Sequence, residues 1–130
     1  MFSWTIEALR DQIDRYRAAE WELCQALGGW SGDDDDPVAR REFAAASARH
    51  AWHLQLWDER RPQINTVDPP PAPSESIDGS NLASISRTAD RRRHAELAID
   101  RLATRYRQHA NEIDALVDPA TAETLRRILT

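Results

Sequence analysis

Apolar residues recur at helical spacing over three long stretches of this chain of 130 residues, and this periodicity limits the possible folds more than any other feature. Steps of three and four residues place the apolar residues of each stretch on a single stripe. None of the stretches shows the strict apolar–polar alternation that is typical of a β-strand. The pattern predicts an all-α fold, and the length suits one helical-bundle domain over residues 1–130.

Capping residues and prolines set the predicted ends of four helices. Gly28 and Gly29 predict the end of the first helix, and residues 28–36 are predicted to form a loop. Asp36 is the predicted N-cap of the helix that follows. The four Asp at 33–36 suit a helix N-terminus and lack the spacing of a calcium loop. The predicted helices are Ser3–Leu27, Pro37–Arg61, a third from between Leu82 and Ser86 to Leu116, and a short fourth over Pro119–Thr130.

Residues 62–81 separate the second and third helices and contain five of the seven prolines. A Pro-rich stretch is extended and cannot form a core helix. Its length exceeds the roughly 2–8 residues that usually join bundle helices. We expect this crossover linker to return along the bundle, so that the helices on either side of it run parallel.

Three ionisable side chains lie on stripes that should face the core. Glu20 fills a gap in the apolar stripe of the first helix, and His50 and His53 lie one turn apart on the second. Burying a carboxylate without a partner is costly, so Glu20 needs one. From the predicted helix ends, Glu20 and His50 differ in height by about 10 Å, which the loop has to absorb.

This order of helices and links, together with the three residues, resembles the ferritin-like superfamily of four-helix bundles. Its di-metal members carry a Glu on the first helix and Glu-x-x-His on the second. Glu20 matches the first-helix Glu, His53 matches the His, and His50 stands in place of the second-helix Glu. The resemblance implies a bundle with a long crossover and a short fourth helix.

The second half of the chain carries weaker matches to the same ligand pattern. The resemblance implies that Glu96 and Glu123 correspond to the carboxylates of the third and fourth helices. Arg126 stands where the fourth-helix His belongs. With two of the family's six ligand positions altered, the implied di-metal ligand set is incomplete.

Three interpretations of the trio are open. It forms a buried hydrogen-bonded network without metal, or it binds one transition metal (Fe, Mn or Zn), or it acts as acid and base in a small-molecule pocket. For the metal, a fourth ligand comes from His109, Glu112, Glu96 or His94. For the pocket, the candidate residues are Glu20, His50, His53, Trp52, Trp57 and Tyr106.

Other features fit ordinary structural roles. Cys24 is a small buried hydrophobe, and Arg91–Arg93 form a solvated face. His109 is more simply a core residue than a ligand. Five Trp lie within the first 57 residues, so most of the large side chains available for core packing belong to the first two helices.

Composition excludes several classes of function. The net charge of −5 argues against nucleic-acid binding, and no apolar run is long enough to span a membrane. The N-terminal residues lack the features of a signal peptide, so we expect a cytoplasmic protein. The short fourth helix should leave a groove that a second copy covers, which predicts a homodimer. The absence of Lys and the abundance of Ala favour a GC-rich, actinobacterial coding sequence.

Two functions from different classes follow. In the first, the chain is a degenerate ferritin-like bundle that acts as a binding or accessory protein for a protein partner or a small molecule. In the alternative, it is an Fe- or Mn-dependent oxidoreductase or hydroxylase that uses Glu20, His50 and His53. Whether the chain is an enzyme stays open at this point.

Overall fold

The structure, a computed structural model, describes residues 5–60, 82–113 and 118–130, and nearly all of them are helical. Within these ranges there are four α-helices and no strand, which confirms the predicted all-α class for the described part of the chain. None of the described helices is long and apolar enough to cross a membrane. The helices are α1 (Ile6–Asp33), α2 (Pro37–Arg60), α3 (Thr88–Glu112) and α4 (Pro119–Leu129), with a single-turn 3₁₀ helix at Leu82–Ser84.

Helix α1 continues through the two glycines at which the sequence predicts its end. It runs to Asp33 instead of Leu27, so the predicted stop and the loop over 28–36 are wrong. The cause is Trp30, which is 2% exposed and packs edge-on against Phe43 with ring centroids 5.3 Å apart. Each glycine in a helix costs about 1 kcal/mol. Burial of a side chain as large as that of Trp30 contributes about 2–3 kcal/mol and offsets this cost.

The N-terminus of α1 also differs from the predicted one. The helix begins at Ile6, and its cap is Thr5, whose hydroxyl accepts a hydrogen bond from the Ala8 N–H. The predicted cap, Ser3, lies outside the described residues.

A turn of three residues, 34–36, joins α1 to α2. Asp36 caps α2 by accepting a hydrogen bond from the Val38 N–H at 3.0 Å, which confirms the predicted cap. Asp34 is buried instead of lying in solvent. Its carboxylate accepts hydrogen bonds from the Asp36 N–H, the Thr88 hydroxyl and the Arg91 guanidinium. The turn is thereby fixed to the start of α3.

The remaining helix ends agree more closely with the predicted ones. Helix α2 is described to Arg60, one residue before the predicted end, and α4 begins at Pro119, as predicted, with Asp118 accepting a hydrogen bond from Thr121 N–H. Helix α3 begins at Thr88, later than predicted, because the 3₁₀ turn precedes it and buries Leu82. It ends at Glu112, so the predicted end at Leu116 is too late.

Contacts between helices give their directions. Glu20 of α1 faces His50 of α2, and Cys24 lies beside Ser47, so these two helices are antiparallel. Tyr16 bonds to His109 near the end of α3, while the other end of α1 contacts the start of α3, so this pair is antiparallel as well. Helices α2 and α3 therefore run in the same direction. The segment that joins them, including the predicted crossover at 62–81, lies outside the described residues.

Helix α4 packs against α2 in the antiparallel sense. The Arg60 guanidinium, buried at the end of α2, donates hydrogen bonds to the Thr121 hydroxyl at 2.7 Å and to the Asp118 carboxylate at 3.2 Å. Farther along α4, the Arg127 guanidinium lies over the Trp52 ring. The four helices enclose a core whose larger apolar members are Leu9, Ile13, Tyr16, Leu23, Leu27, Trp30, Phe43, Leu56, Trp57, Leu82, Leu102, Tyr106, Leu125 and Ile128.

Candidate functional site

A carboxylate lies at the centre of this core. The Glu20 side chain is fully buried, and both of its oxygens are hydrogen-bonded. Its Oε1 is 2.5 Å from His50 Nδ1, and its Oε2 is 3.0 Å from His53 Nδ1. A third donor, the Tyr106 hydroxyl, approaches Oε2 to 2.7 Å. We call these four residues the Glu20 cluster.

The length of α1 brings the members of the cluster to the same height. Glu20 lies thirteen residues before the end of α1 at Asp33, and His50 lies thirteen residues after the start of α2 at Pro37. In an antiparallel hairpin with a three-residue turn, equal distances from the turn place residues side by side. The offset of about 10 Å that follows from a helix end at Leu27 is thus absent.

Both imidazoles of the cluster point the same ring atom at the carboxylate. With Glu20 ionised, each Nδ1 carries a proton and donates it to the carboxylate. Burial by itself raises the pKa of the Glu20 carboxyl, but the hydrogen bonds from His50 and His53 outweigh it and lower the pKa. The Glu20 carboxylate therefore stays ionised inside the core.

Tyr106 is held in the cluster from two sides. Its hydroxyl donates to Glu20 and accepts a hydrogen bond from Trp57 Nε1 at 3.2 Å. Burial and the neighbouring Glu20 carboxylate raise the pKa of the Tyr106 hydroxyl well above its usual value. The phenol is thus protonated and fixed in one direction.

A second buried pair lies one turn away from the cluster. The Tyr16 hydroxyl is 2.9 Å from His109 Nδ1, and the Tyr16 ring packs against both Trp57 and Tyr106. Burial lowers the pKa of His109 to about 4, so this imidazole is neutral near pH 7. Burial likewise raises the pKa of the Tyr16 hydroxyl.

The donor set of the cluster fits a single metal ion. Among the described residues, Glu20, His50 and His53 are the group of His, Cys, Asp or Glu side chains that could hold a metal, with candidate ligand atoms within 4.8 Å of one another. Two imidazoles and one carboxylate suit Zn, Fe or Mn. His109, also predicted as a metal ligand, is not in this group and bonds to Tyr16.

Among the described residues, the second half of the chain adds no carboxylate or imidazole ligand to the cluster. Glu96 is exposed, and Glu123 is exposed and paired with Arg126 at 2.6 Å. The match of these two carboxylates to family ligands is therefore wrong. The stripe of α3 presents Tyr106 to the cluster in their place. The cluster thus resembles one half of the centre that the family pattern implies.

The tryptophans predicted to line a pocket separate into two kinds. Trp57 is buried and bonds to Tyr106, whereas Trp52 is 42% exposed, beside His53 on one side and under Arg127 on the other. Trp21 is 47% exposed. Of the two tryptophans predicted to line the pocket, Trp57 is therefore the one that belongs to the inner surroundings of the cluster.

One buried ion pair was not indicated by the sequence pattern. Arg91 is buried, although the three consecutive arginines predict a solvated face, and that prediction is wrong for this residue. Its guanidinium bonds to Asp34 at 2.9 Å and lies over the Trp30 ring. Its position four residues before Ala95 on the α3 stripe is the signal that could have identified it, since steps of three and four are equally helical.

No protein-family model matches this chain, and neither a curated protein nor a solved structure is significantly similar to it. The four described helices and the Glu20 cluster are compatible with a ferritin-like bundle. The case for a function accordingly rests on the chemistry of the cluster.

Proposed function

We propose that this protein is a ferritin-like helical bundle that binds one transition-metal ion, Fe, Mn or Zn, through Glu20, His50 and His53. The observation that carries the proposal is the convergence of both Nδ1 atoms on one buried, ionised carboxylate. Burying one carboxylate and two imidazoles in a bundle core is costly unless these groups are paired or bind a metal. Iron or manganese supplies one-electron redox chemistry when bound, which makes an oxidoreductase or hydroxylase the matching class of enzyme.

The chain's own residues perform defined tasks in this proposal. Glu20 supplies the negative charge that attracts a cation into the core, and the two imidazoles supply neutral nitrogen ligands. Because Glu20 is itself fully buried, bulk water is excluded from its carboxylate. For Nδ1 of either imidazole to bind the ion, its proton would have to leave, and Nε2 would then carry the ring N–H.

Elemental analysis tests the proposal. The chain is expressed with added iron and manganese, purified without chelator, and assayed for bound metal. We expect one ion per chain in the wild type and almost none in His53→Ala. His109→Gln, which alters a buried imidazole outside the cluster, should keep its metal. A wild-type protein without Fe, Mn or Zn under these conditions contradicts the proposal.

A second candidate is a metal-free bundle that acts as a binding or accessory protein for a protein partner or a small molecule. It is favoured by the three hydrogen bonds that already satisfy Glu20 within the protein. Exposed apolar side chains on several helices would support such a partner or a homodimer in the cytoplasm. They are Ile6, Trp21, Val38, Trp52, Leu97 and Leu129.

The oligomeric state is measured separately from the metal. Light scattering after gel filtration should give the mass of two chains if the exposed apolar side chains are covered by a second copy. A mass of one chain at all concentrations excludes the homodimer and leaves the metal proposal unaffected.

A further inference from the structure

We propose that the Tyr106 oxygen is a fourth protein ligand of the metal, and that it makes the Glu20 cluster a site for ferric iron. The proposal rests on the single-metal function above and specifies its metal. It starts from a residue type that is not among the usual His, Cys, Asp and Glu ligands but is a direct partner of Glu20.

The distances in the cluster are those of neighbouring ligand atoms. The Tyr106 oxygen is 2.7 Å from Glu20 Oε2, and His53 Nδ1 is 3.0 Å from the same oxygen. Ligands bound at about 2.0–2.2 Å to one small ion lie about 3 Å from each other. An ion can therefore replace the shared protons with small movements of the side chains.

The orientation of Tyr106 favours the same role. Its oxygen accepts a hydrogen bond from the indole N–H of Trp57, which is fully buried and packs against the phenol ring. This leaves the O–H directed at Glu20. Replacing that proton by a metal keeps the indole hydrogen bond, since a phenolate oxygen has lone pairs for both.

Charge balance is compatible with the ferric state. Ferrous iron beside the Glu20 carboxylate and the neutral Tyr106 phenol has the same net charge as ferric iron beside the carboxylate and the phenolate. In passing from one to the other, the iron loses one electron to an added oxidant such as ferricyanide. The phenol O–H bond breaks, its proton leaves to water, and an iron–oxygen bond forms. A buried site tolerates this change because its total charge is constant.

The chain makes the proposal simple to test because it contains only two tyrosines, Tyr16 and Tyr106. Wild-type protein and two variants are loaded with iron(III) nitrilotriacetate and freed of excess iron by gel filtration. Bound iron is then measured together with the visible absorption and the resonance Raman spectrum. We expect a phenolate-to-iron charge-transfer band in the wild type and in Tyr16→Phe, and none in Tyr106→Phe.

The affinity for each metal ion provides a second measurement on the same variants. The affinity of Tyr106→Phe for ferric iron should be lower by about tenfold or more, a loss typical of a disrupted metal site. Its affinity for Zn²⁺ should fall much less. A purely structural role of Tyr106 would lower both affinities alike. If Tyr106→Phe does not fold, the band in Tyr16→Phe still decides, because Tyr106 is then the sole phenol in the chain.

The outcomes separate this inference from the proposed function. Wild-type protein that binds iron or zinc at the cluster without a phenolate band overturns the role of Tyr106 and leaves the single-metal site standing. A band that survives in Tyr106→Phe and disappears in Tyr16→Phe also overturns it. Wild-type protein that retains no metal at all overturns both proposals together.

Discussion

Two carboxylates, Glu20 of α1 and Asp34 of the turn that follows it, are fully buried, yet their partners differ in kind. Asp34 accepts hydrogen bonds from a guanidinium, a hydroxyl and a backbone N–H. Glu20 accepts them from two imidazoles and a phenol. A guanidinium keeps its charge and cannot bind a cation, whereas imidazole and phenol can exchange a proton for a metal.

This difference shows that the partners of a buried carboxylate, more than its burial, determine what it can do. The pKa of Asp34 is lowered chiefly by the hydrogen bond from the Asp36 N–H, with Thr88 and Arg91 adding to it. That of Glu20 is lowered by imidazole donors against the effect of burial. The first arrangement closes one end of the bundle, and the second is open to metal chemistry.

The largest expected effect is on the closed end of the bundle. Arg91→Ala removes the cationic partner of Asp34, the hydrogen bond to the Ile85 carbonyl and the contact with the Trp30 ring. Loss of one member of a buried ion pair typically costs about 3 kcal/mol or more, which urea unfolding would measure. Arg93→Ala, at an exposed position, is the control and should change stability by less than about 0.5 kcal/mol. Equal effects of the two variants would refute the structural role of Arg91.

Metal binding should stabilise the protein through the Glu20 cluster alone. At a free metal concentration about a hundredfold above the Kd, the free energy of unfolding rises by about 3 kcal/mol. Glu20→Gln keeps the shape of the side chain but should abolish this gain. Asp34→Asn should retain it, since Asp34 lies at the other buried site. Thermal unfolding with and without metal distinguishes the variants. A metal-dependent gain in stability that is lost in Asp34→Asn and kept in Glu20→Gln would contradict this prediction.

The stability of the metal-free protein should fall in mild acid because of His109. Burial lowers its folded-state pKa to about 4, while the unfolded chain takes up the proton near its ordinary value of about 6.5. The unfolded state therefore binds more protons between these values, and stability decreases as the pH falls from 6.5 toward 4. The loss is on the order of 2–3 kcal/mol.

The matched variant for this pH dependence is His109→Gln, studied with chelator present. Its unfolding free energy should depend less steeply on pH over the same interval. An unchanged slope would show that His109 is not the responsible group.

The smallest effect concerns the continuity of α1, which brings Glu20 level with His50. A Cβ added at Gly29 meets no atom within 4 Å, so Gly29→Ala should stabilise the helix by about 0.5–1 kcal/mol. At Gly28 the added Cβ would lie 3.2 Å from Ser47 Oγ, and the gain should be smaller. If Gly29→Ala is destabilising, a helix that ends near Leu27 becomes the better description.

Much of the cluster could be predicted from periodicity alone. Glu20, His50, His53 and Tyr106 all lie on stripes whose other members are mostly apolar, and the structure buries all four. The sequence alone could not show that Glu20 lies level with the histidines, because the relative height of these residues depends on where α1 ends. Two glycines weigh against a helix locally, and only the burial of Trp30 by another helix outweighs them.

The pairing of Arg91 with Asp34 could not be predicted from the sequence, although the helical spacing of Arg91 and Ala95 indicates that this arginine faces the core. Four consecutive Asp and three consecutive Arg look alike within each run, and the rule for a run of charges assigns the three arginines to solvent. Tertiary packing selects one member of each and buries it. Likewise, Glu96 and Glu123 fit the spacing of family ligands, but the faces of α3 and α4 on which they lie are exposed.

Anomalous X-ray diffraction from crystals grown with iron, recorded at the iron absorption edge, locates the metal directly. We expect a single strong peak in contact with the Glu20 carboxylate, His50 Nδ1 and His53 Nδ1, and no peak at Asp34. A crystal without a peak at the cluster, or with iron bound only at surface carboxylates, would contradict this expectation.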